Sequence, residues 1–403
     1  MNVLVLNCGS SSIKYQVIDI DENGHRLTAK GLVERISLPE GVLTHKPAGK
    51  EPYRLQTPIP NHTEGIRLVL EALTDKEHGV ISSLDEIHAV GHRVAHGGEF
   101  FPESCIVDDD VKEKIRSLFE IAPLHNPANL EGVLSIEKVL PSVPQVTVFD
   151  TSFHQTIPAV NYLYALPTEY YEKYRVRKYG FHGTSHKHVA HMGAQLANLD
   201  LENSKIITCH IGNGASVTAI LNGKSYDTSM GFSPLDGLIM GTRCGSVDAS
   251  AITFIGEKES MSYAELNAMM NKKSGMQGMT GLSSDMRDID DAYESGNPKV
   301  ITARDAYYLR IKKFVGAYAA EMGGADLIIF TGGVGENSSD LRKSVCSDME
   351  YMGLHLDNDI NDRTRGENVI ISTPESMVKA AVIATDEELV IASDTYNLVK
   401  GLA

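Results

Sequence analysis

The chain has 403 residues, more than the roughly 250–300 at which a single hydrophobic core stops growing, so two domains are expected. A hydrophobic content of 42%, a charged content of 22% and 35 glycines describe a globular chain rich in turns and exclude a disordered one. The formal net charge of −16 argues against nucleic acid as a partner, which would call for a basic face.

Residues 3–17 open as an apolar run, break at Asn7-Cys8-Gly9-Ser10-Ser11-Ser12 and resume as an alternating strand that carries Lys14. Strands near 2–7 and 12–19 around a tight turn are predicted. The turn offers hydroxyls, backbone N–H groups and a lysine charge to a phosphate. It is not a Walker-type loop, because no G-x-x-x-x-G-K-[ST] opens a helix. A strand at 27–34 and a helix at 62–75 follow, then a strand at 87–90 that ends in the loop Gly91-His92-Arg93-Val94-Ala95-His96-Gly97-Gly98. Helical spacing covers 108–120 and 127–138, and a strand at 145–149 ends in Asp150.

The second half repeats the device. An apolar run at 206–211 breaks at Gly212-Asn213-Gly214 and resumes through Ala215-Ser216, giving strands at 205–211, 215–221 and 224–228. Helices are predicted over 248–255, 262–272 and 299–322, then a strand at 326–330 leading into a third glycine-rich turn, Thr331-Gly332-Gly333-Val334-Gly335-Glu336-Asn337. A helix from about Glu387 is expected to pack back onto the first domain. Each glycine turn alone is an ordinary turn; three of them within an internal repeat point to a polyphosphate held by duplicated domains around a cleft.

No apolar run reaches the roughly 18–20 residues of a membrane span, and Met1 leads directly into a strand with no visible export signal. The cysteines, Cys8, Cys105, Cys209, Cys244 and Cys346, are scattered and form no C-x-x-C pair. Reduced thiols in a cytoplasm are expected, and a structural zinc site of the usual spacing is excluded.

Several groups carry the chemistry. Arg93 and Arg243, both among glycines, read as a clamp for carboxylate or phosphate, although either alone would pass for a surface ion pair. Asp150, directly after a strand, suits either a magnesium or nucleophile organiser or a plain helix N-cap. His182, in a glycine frame, can donate to a transferring phosphoryl group, whereas His186 and His191 read as helix surface and core. Glu387 is either an ordinary acidic residue of a first helical turn or a magnesium ligand acting through water.

Taken together, Asn7 to Lys14, GHRVAHGG at 91–98, Ala122-Pro123-Leu124-His125-Asn126-Pro127, FDTSFHQT at 149–156, YGFHGTSH at 179–186, HIGNGAS at 210–216, MGTR at 240–243 and FTGGVGEN at 330–337 closely resemble the acetate kinases from end to end. The resemblance implies an α/β fold of two duplicated actin-like (ribonuclease H-like) ATPase domains, with mixed sheets flanked by helices around a central cleft. Residues 1–150 with about 386–403 would form the first domain, and 151–385 the second, carrying most of the nucleotide site. It further implies reversible transfer of the ATP γ-phosphoryl group to a short-chain carboxylate in a homodimer, with Mg²⁺ as cofactor, Mn²⁺ as its substitute and ATP/ADP as co-substrate. Neither nucleic acid nor membrane would be a partner.

By that resemblance Asn7 and Glu387 would position the metal, and Asp150, His182 and Arg243 would be catalytic. Arg93 would hold the carboxylate, with Ala95, Leu124, Phe181 and Pro234 around its apolar end. Lys14, His210, Ile211, Gly212, Asn213 and Gly214 would contact phosphates, and Asp285, Met286, Arg287, Gly333, Val334, Gly335, Glu336 and Asn337 would surround the nucleotide. An ionised carboxylate needs no general base, so Asp150 reads as an organiser rather than a proton acceptor. Ala95 stands where acetate enzymes often carry Val, which favours propionate as a second acceptor. Cys244 and Ser246 stand where Ser and Asp are usual, which bears on how Arg243 is positioned and suggests sensitivity to thiol reagents. A nucleotide-gated binding or chaperone-like ATPase and, on fold alone, a sugar kinase are the competing readings.

Overall fold

Strand β1 (Asn2–Gly9) pairs antiparallel with β2 (Ser12–Asp21) across the Ser10-Ser11 turn, so that Asn7 lies opposite Lys14 and Gly9 opposite Ser12. The computed structural model describes residues 1–402 and divides into two compact units: Met1–Ser152 together with the segment from Asp386 onward, and Phe153–Thr385.

In unit 1 the antiparallel meander continues through β3 (Gly24–Glu34), β4 (Gly41–Pro47) and β5 (Tyr53–Thr57). On the other side of β1 lies β6 (Ile87–Val94), parallel to it. The short β7 (Cys105–Ile106) forms the edge, antiparallel to β8 (Gln145–Phe149), which is itself parallel to β6. Strands β4, β5 and β7 were not foreseen from the sequence. Strand β6 also runs further than expected, because its ladder with β8 continues through Arg93 opposite Val148 and Val94 opposite Phe149. Arg93 is therefore a strand residue, not a loop residue, and its backbone is fixed against β8. The helix expected at 108–120 is shorter, Asp109–Ser117, and starts where the Asp108 side chain accepts from the Val111 N–H.

Unit 2 contains β9 (Lys205–Ile211), β10 (Ala215–Leu221), β11 (Lys224–Thr228), β12 (Leu327–Thr331), β13 (Val369–Ile370) and β14 (Lys379–Val382). Its sheet order is β11-β10-β9-β12-β14-β13, with β9, β10 and β11 antiparallel, and β12 and β14 parallel to β9. The inner strands of unit 1, β3-β2-β1-β6-β8, follow the same order and directions. The chain thus repeats one mixed-sheet plan.

Period-two side-chain alternation explains why helices cover both faces of each sheet. On β1, Leu4, Leu6 and Cys8 join one core with Ile66, Val69 and Leu73 of the helix His62–Thr74. Val3 and Val5 join the opposite core with Ile391, Ala392 and Val399 of the helix Glu387–Val399. This late helix approaches β6 so closely that a Cβ on Gly91 would lie 2.4 Å from Thr395 Oγ1 and 2.7 Å from Ile391 Cγ2. On β9, Ile207, Cys209 and Ile211 face the helix Pro298–Met322, while Ile206 faces the helix Gly183–Ala197.

The contribution of the late helix to unit 1 can be measured. Ile391 is 2% exposed in that core, so Ile391→Ala should cost about 2–5 kcal/mol. Equilibrium urea unfolding checks this; an unchanged curve would mean that the helix is not part of the folding unit.

Candidate active site

Unit 2 encloses a pocket of about 590 Å³, a size suited to a nucleotide-scale ligand. Its lining brings together Gly212 and Asn213 of the β9–β10 turn, Asp285, Met286 and Arg287, and Gly333, Val334 and Asn337. All eight were singled out from the sequence. Gly241, Ser284, Asp290, Tyr307 and Ser338 complete the lining and were missed. Asp290 lies one helical turn beyond Met286 and was accessible to a spacing argument. Tyr307 comes from the middle of the helix Pro298–Met322 and carries no local signal.

Two of the glycine-rich segments are shaped by close contacts. A Cβ on Gly241 would fall 1.8 Å from Asn213 Oδ1, so only glycine lets that backbone reach the turn. The third glycine-rich segment is a helix, Gly332–Asn337, rather than a plain turn. Glu336 explains the difference: its carboxylate accepts from the Gly332 N–H at 2.9 Å and from the Thr385 N–H at 3.1 Å. It holds the helix start and does not line the pocket. Gly335 is buried, and its carbonyl, with that of Glu336, accepts from Arg342. The wholly buried Arg342 also bonds Asn361 and Thr364. Sequence reasoning missed this residue, which immobilises one wall of the pocket. Burial and the neighbouring Arg365 lower its guanidinium to about 10.

His182 caps the helix Gly183–Ala197 in a left-handed conformation, φ 58°. Its Nδ1 is 2.9 Å from Ser216 Oγ, and its ring stacks on His210 with centroids 4.2 Å apart. A methyl built on Gly214 would lie 3.7 Å from His182 Nε2 and 3.5 Å from Arg243 Nη1. The imidazole, the guanidinium and the glycine turn therefore converge. Arg243 Nη1 donates to the Pro234 carbonyl at 3.3 Å, and no carboxylate pairs with the guanidinium among the described residues. Burial lowers its pKa, as expected for a cation removed from water without a counter-ion. Ile211 is wholly buried, and His210 is held by Ser185 at 2.8 Å; neither lines the pocket.

Unit 1 assembles a second set. Arg93 Nε and Nη2 donate to Asp150 Oδ1 and Oδ2 at 2.9 and 2.7 Å, a bidentate pair with Asp150 2% exposed. The helix-cap reading of Asp150 fails, because both of its oxygens engage Arg93. The Asp150 carboxylate in turn raises the Arg93 pKa. Lys14 pairs with Glu388. Glu387 is half-buried, its Oε1 is shut off from solvent without a hydrogen-bond partner, and burial raises its carboxyl pKa, with Asp150 and Glu388 adding to the rise and Arg93 and Lys14 opposing it. Two bases, Lys14 and Arg93, thus face three acids, Asp150, Glu387 and Glu388.

Of the residues expected around the apolar end of the site, Ala95 is buried in unit 1, with its N–H donating to Asn129 Oδ1 at 3.0 Å, and Phe181 is buried in unit 2. Leu124 is 56% exposed in unit 1. Cys244 donates to the Gly245 carbonyl, and burial raises its pKa. The other four thiols are raised by burial as well. Ser246 bridges the Asp236 carboxylate and the Gly237 N–H, steadying the loop that leads to Arg243.

Known proteins share this arrangement along the whole chain. The profile of the Acetokinase family matches residues 2–393. The acetate kinase of Caldanaerobacter subterraneus subsp. tengcongensis is 52% identical over 403 residues, covering 100% of both chains. The crystal structure of Porphyromonas gingivalis acetate kinase superposes with a TM-score of 0.96 at 48% identity, covering 99% of each chain. A propionate kinase from Francisella tularensis subsp. tularensis gives a TM-score of 0.90 at 38% identity, covering 98% of this chain and 99% of that one. With a family profile matching residues 2–393 and relatives of this identity over its full length, the chain belongs to the acetokinase family of carboxylate-phosphorylating kinases.

Proposed function

We propose that the protein transfers the γ-phosphoryl group of ATP reversibly to acetate, giving acetyl phosphate and ADP by direct in-line displacement. The observation that carries this reading is Arg243, a half-buried cation with no carboxylate partner, beside His182 and over the glycine turn. A cation left in that state is matched to charge that arrives with the substrate and grows in the transition state. In the reaction, an acetate oxygen forms a bond to phosphorus as the bond from phosphorus to the ADP oxygen breaks. No proton moves from the nucleophile. Asp150, with both oxygens engaged by Arg93, accordingly organises that guanidinium and does not act as a base. Arg93 keeps Nη1 outside the Asp150 pair, and this nitrogen is our candidate donor to the acetate carboxylate.

A divalent cation fits the residues of unit 1. The surplus acid and the half-buried Glu387 with its unpartnered Oε1 form a donor set too sparse for a tight protein cage, since no group of three or more His, Cys, Asp or Glu side chains gathers for a metal among the described residues. Such a set suits Mg²⁺, which keeps most of its waters. Asn7 and Glu387 would hold it. When bound, the ion neutralises charge on the β- and γ-phosphates.

Two further features belong to the same reading. Reduced, unactivated thiols accord with a cytoplasmic enzyme. The exposed Val247, Phe254 and Leu309 of unit 2 give apolar surface that a second copy would cover in a homodimer. Propionate is the second reading for the acceptor, favoured by the small, buried Ala95.

Mg-ATP with acetate, propionate, butyrate or no acid, trapping acyl phosphate with hydroxylamine, tests the reaction. Hydroxamate is expected with acetate and, within about tenfold in kcat/KM, with propionate, since one methylene is worth roughly 1–3 kcal/mol. A propionate value hundreds of times below that for acetate would refute the Ala95 argument. ADP without hydroxamate would revive the ATPase reading.

Arg243→Ala should lower kcat by about 10²–10³ with little change in KM, as for loss of a transition-state donor. Arg93→Ala should mainly raise the acetate KM. Unchanged steady-state kinetics in either variant would remove that residue from the mechanism.

Glu387 also makes a pH prediction. Its folded pKa lies above the ordinary 4.5, so the folded state binds the extra proton, and stability falls as pH rises from about 4.5 through the raised value. Without divalent ion, Glu387→Gln should flatten that decline in thermal melts across pH 4.5–7. Mg²⁺ should raise the melting temperature of the wild type at neutral pH more than that of the variant. Equal Mg²⁺ shifts in both proteins would remove Glu387 as a ligand.

A further inference from the structure

Behind His182 lies a chain of buried side chains that the reaction does not touch. Ser216 Oγ is 2.9 Å from His182 Nδ1 and 2.7 Å from His186 Nε2, and His186 Nδ1 is 2.6 Å from Thr208 Oγ1. Thr208, His186 and Ser216 are each 0% exposed. Strand alternation explains the cluster. The face of β9 and β10 toward the helix Gly183–Ala197 begins apolar at Ile206 and Ile220, then becomes Thr208, His210 and Ser216 as it nears the glycine turn. Polar residues there bury three hydrogen-bonding side chains where Val or Ile would pack, and their order along the strands sets up a relay.

Proton counting gives the relay one direction. A hydroxyl has one proton, and a neutral imidazole has one N–H and one bare nitrogen. The Thr208 hydroxyl has His186 Nδ1 as its one side-chain hydrogen-bond partner among the described residues. If His186 Nδ1 donated, the Thr208 proton would be buried without an acceptor, which costs more than leaving an oxygen lone pair unused. Thr208 therefore donates to His186 Nδ1, His186 Nε2–H donates to Ser216, and the single Ser216 proton goes to His182 Nδ1. His186 carries one proton only, since burial, reinforced by His154 and His210, lowers its pKa well below the ordinary value.

We propose that Thr208, His186 and Ser216 are positioning residues that favour the Nε2–H tautomer of His182, so that its donor points over the glycine turn at the transferring phosphoryl group. The opposite tautomer would present a lone pair to anionic oxygens. Stacking of His182 on His210 keeps the ring plane in place while the relay sets the proton. The inference rests on the carboxylate-kinase reading for what the proton is used for, but the tautomer itself is a property of the resting protein.

The test combines ¹⁵N NMR of histidine-labelled protein without ligands with steady-state kinetics. The His182 signals are assigned by their loss in His182→Gln. The wild type should show His182 with a bare Nδ1 and a protonated Nε2. Thr208→Val keeps the shape but removes the terminal donor, and should mix or reverse the tautomers and lower kcat about tenfold, with both KM values within twofold. Thr208→Ser should restore the wild-type tautomer and kcat. A wild-type His182 protonated at Nδ1, or a Thr208→Val protein with unchanged tautomer and kcat, overturns the proposal. Because the tautomer is read in the resting wild type and needs no turnover, failure of the wild type to make acyl phosphate would refute the parent reading separately from the relay.

Discussion

Each unit is organised by one strand that is buried on both faces and bordered by an antiparallel neighbour on one side and a parallel one on the other. For β1 and β9 this leaves no side chain for solvent along most of the length, so the residues are mainly Val, Leu, Ile and Cys, Thr208 and His210 of β9 are buried with hydrogen-bond partners, and helices must cover both faces. Chemistry emerges only where the parallel strands run out. Asn7 lies near the carboxyl end of β1, Arg93 near that of β6, Asp150 just after β8, His210 near the end of β9 and Gly332 just after β12. The duplicated strand order therefore produces two comparable sets of functional groups, one per unit.

The two sets differ in electrical character. Unit 1 holds more acid than base around Glu387, which suits a cation. Unit 2 holds a half-buried guanidinium without an acid, which suits an anion. Each arrangement carries a desolvation cost in the resting protein that a ligand of opposite charge would relieve. Arg342 illustrates the contrast: it is wholly buried, and its donors are satisfied by the carbonyls of Gly335, Glu336, Asn361 and Thr364 and the Asn361 side chain. One arginine builds a wall; the other keeps its charge uncompensated.

The central strands, the glycine turns and most of the lining of the unit 2 pocket were legible because they are local signals: apolar alternation broken by glycine. What escaped was set by partners distant in sequence. Strand β6 extends through Arg93 because β8 continues its ladder. Gly332–Asn337 closes into a helix because Glu336 turns back on Gly332 and Thr385. Arg342 and Tyr307 reach the site from helices whose patterns read as ordinary packing. Asp150 remained ambiguous in the sequence because a cap and an arginine partner demand the same residue type, and only the bidentate geometry separates them.

The order of the units along the chain bears on how the protein is made. Unit 2 is one continuous segment, Phe153–Thr385, and can fold as soon as it has left the ribosome. Unit 1 is begun first but completed second, because Ile391 and Ala392 of its core, and the carboxylate of Glu387, belong to the helix Glu387–Val399, translated after all of unit 2. Until then one face of β1 is uncovered, with Val3 and Val5 exposed as apolar surface on a nascent chain. Closing that contact joins residues nearly the whole sequence apart, a slow step by loop-closure arguments. The acid proposed for the metal arrives on the same helix that seals the core, so acquisition of the ion and completion of the fold become a single late event.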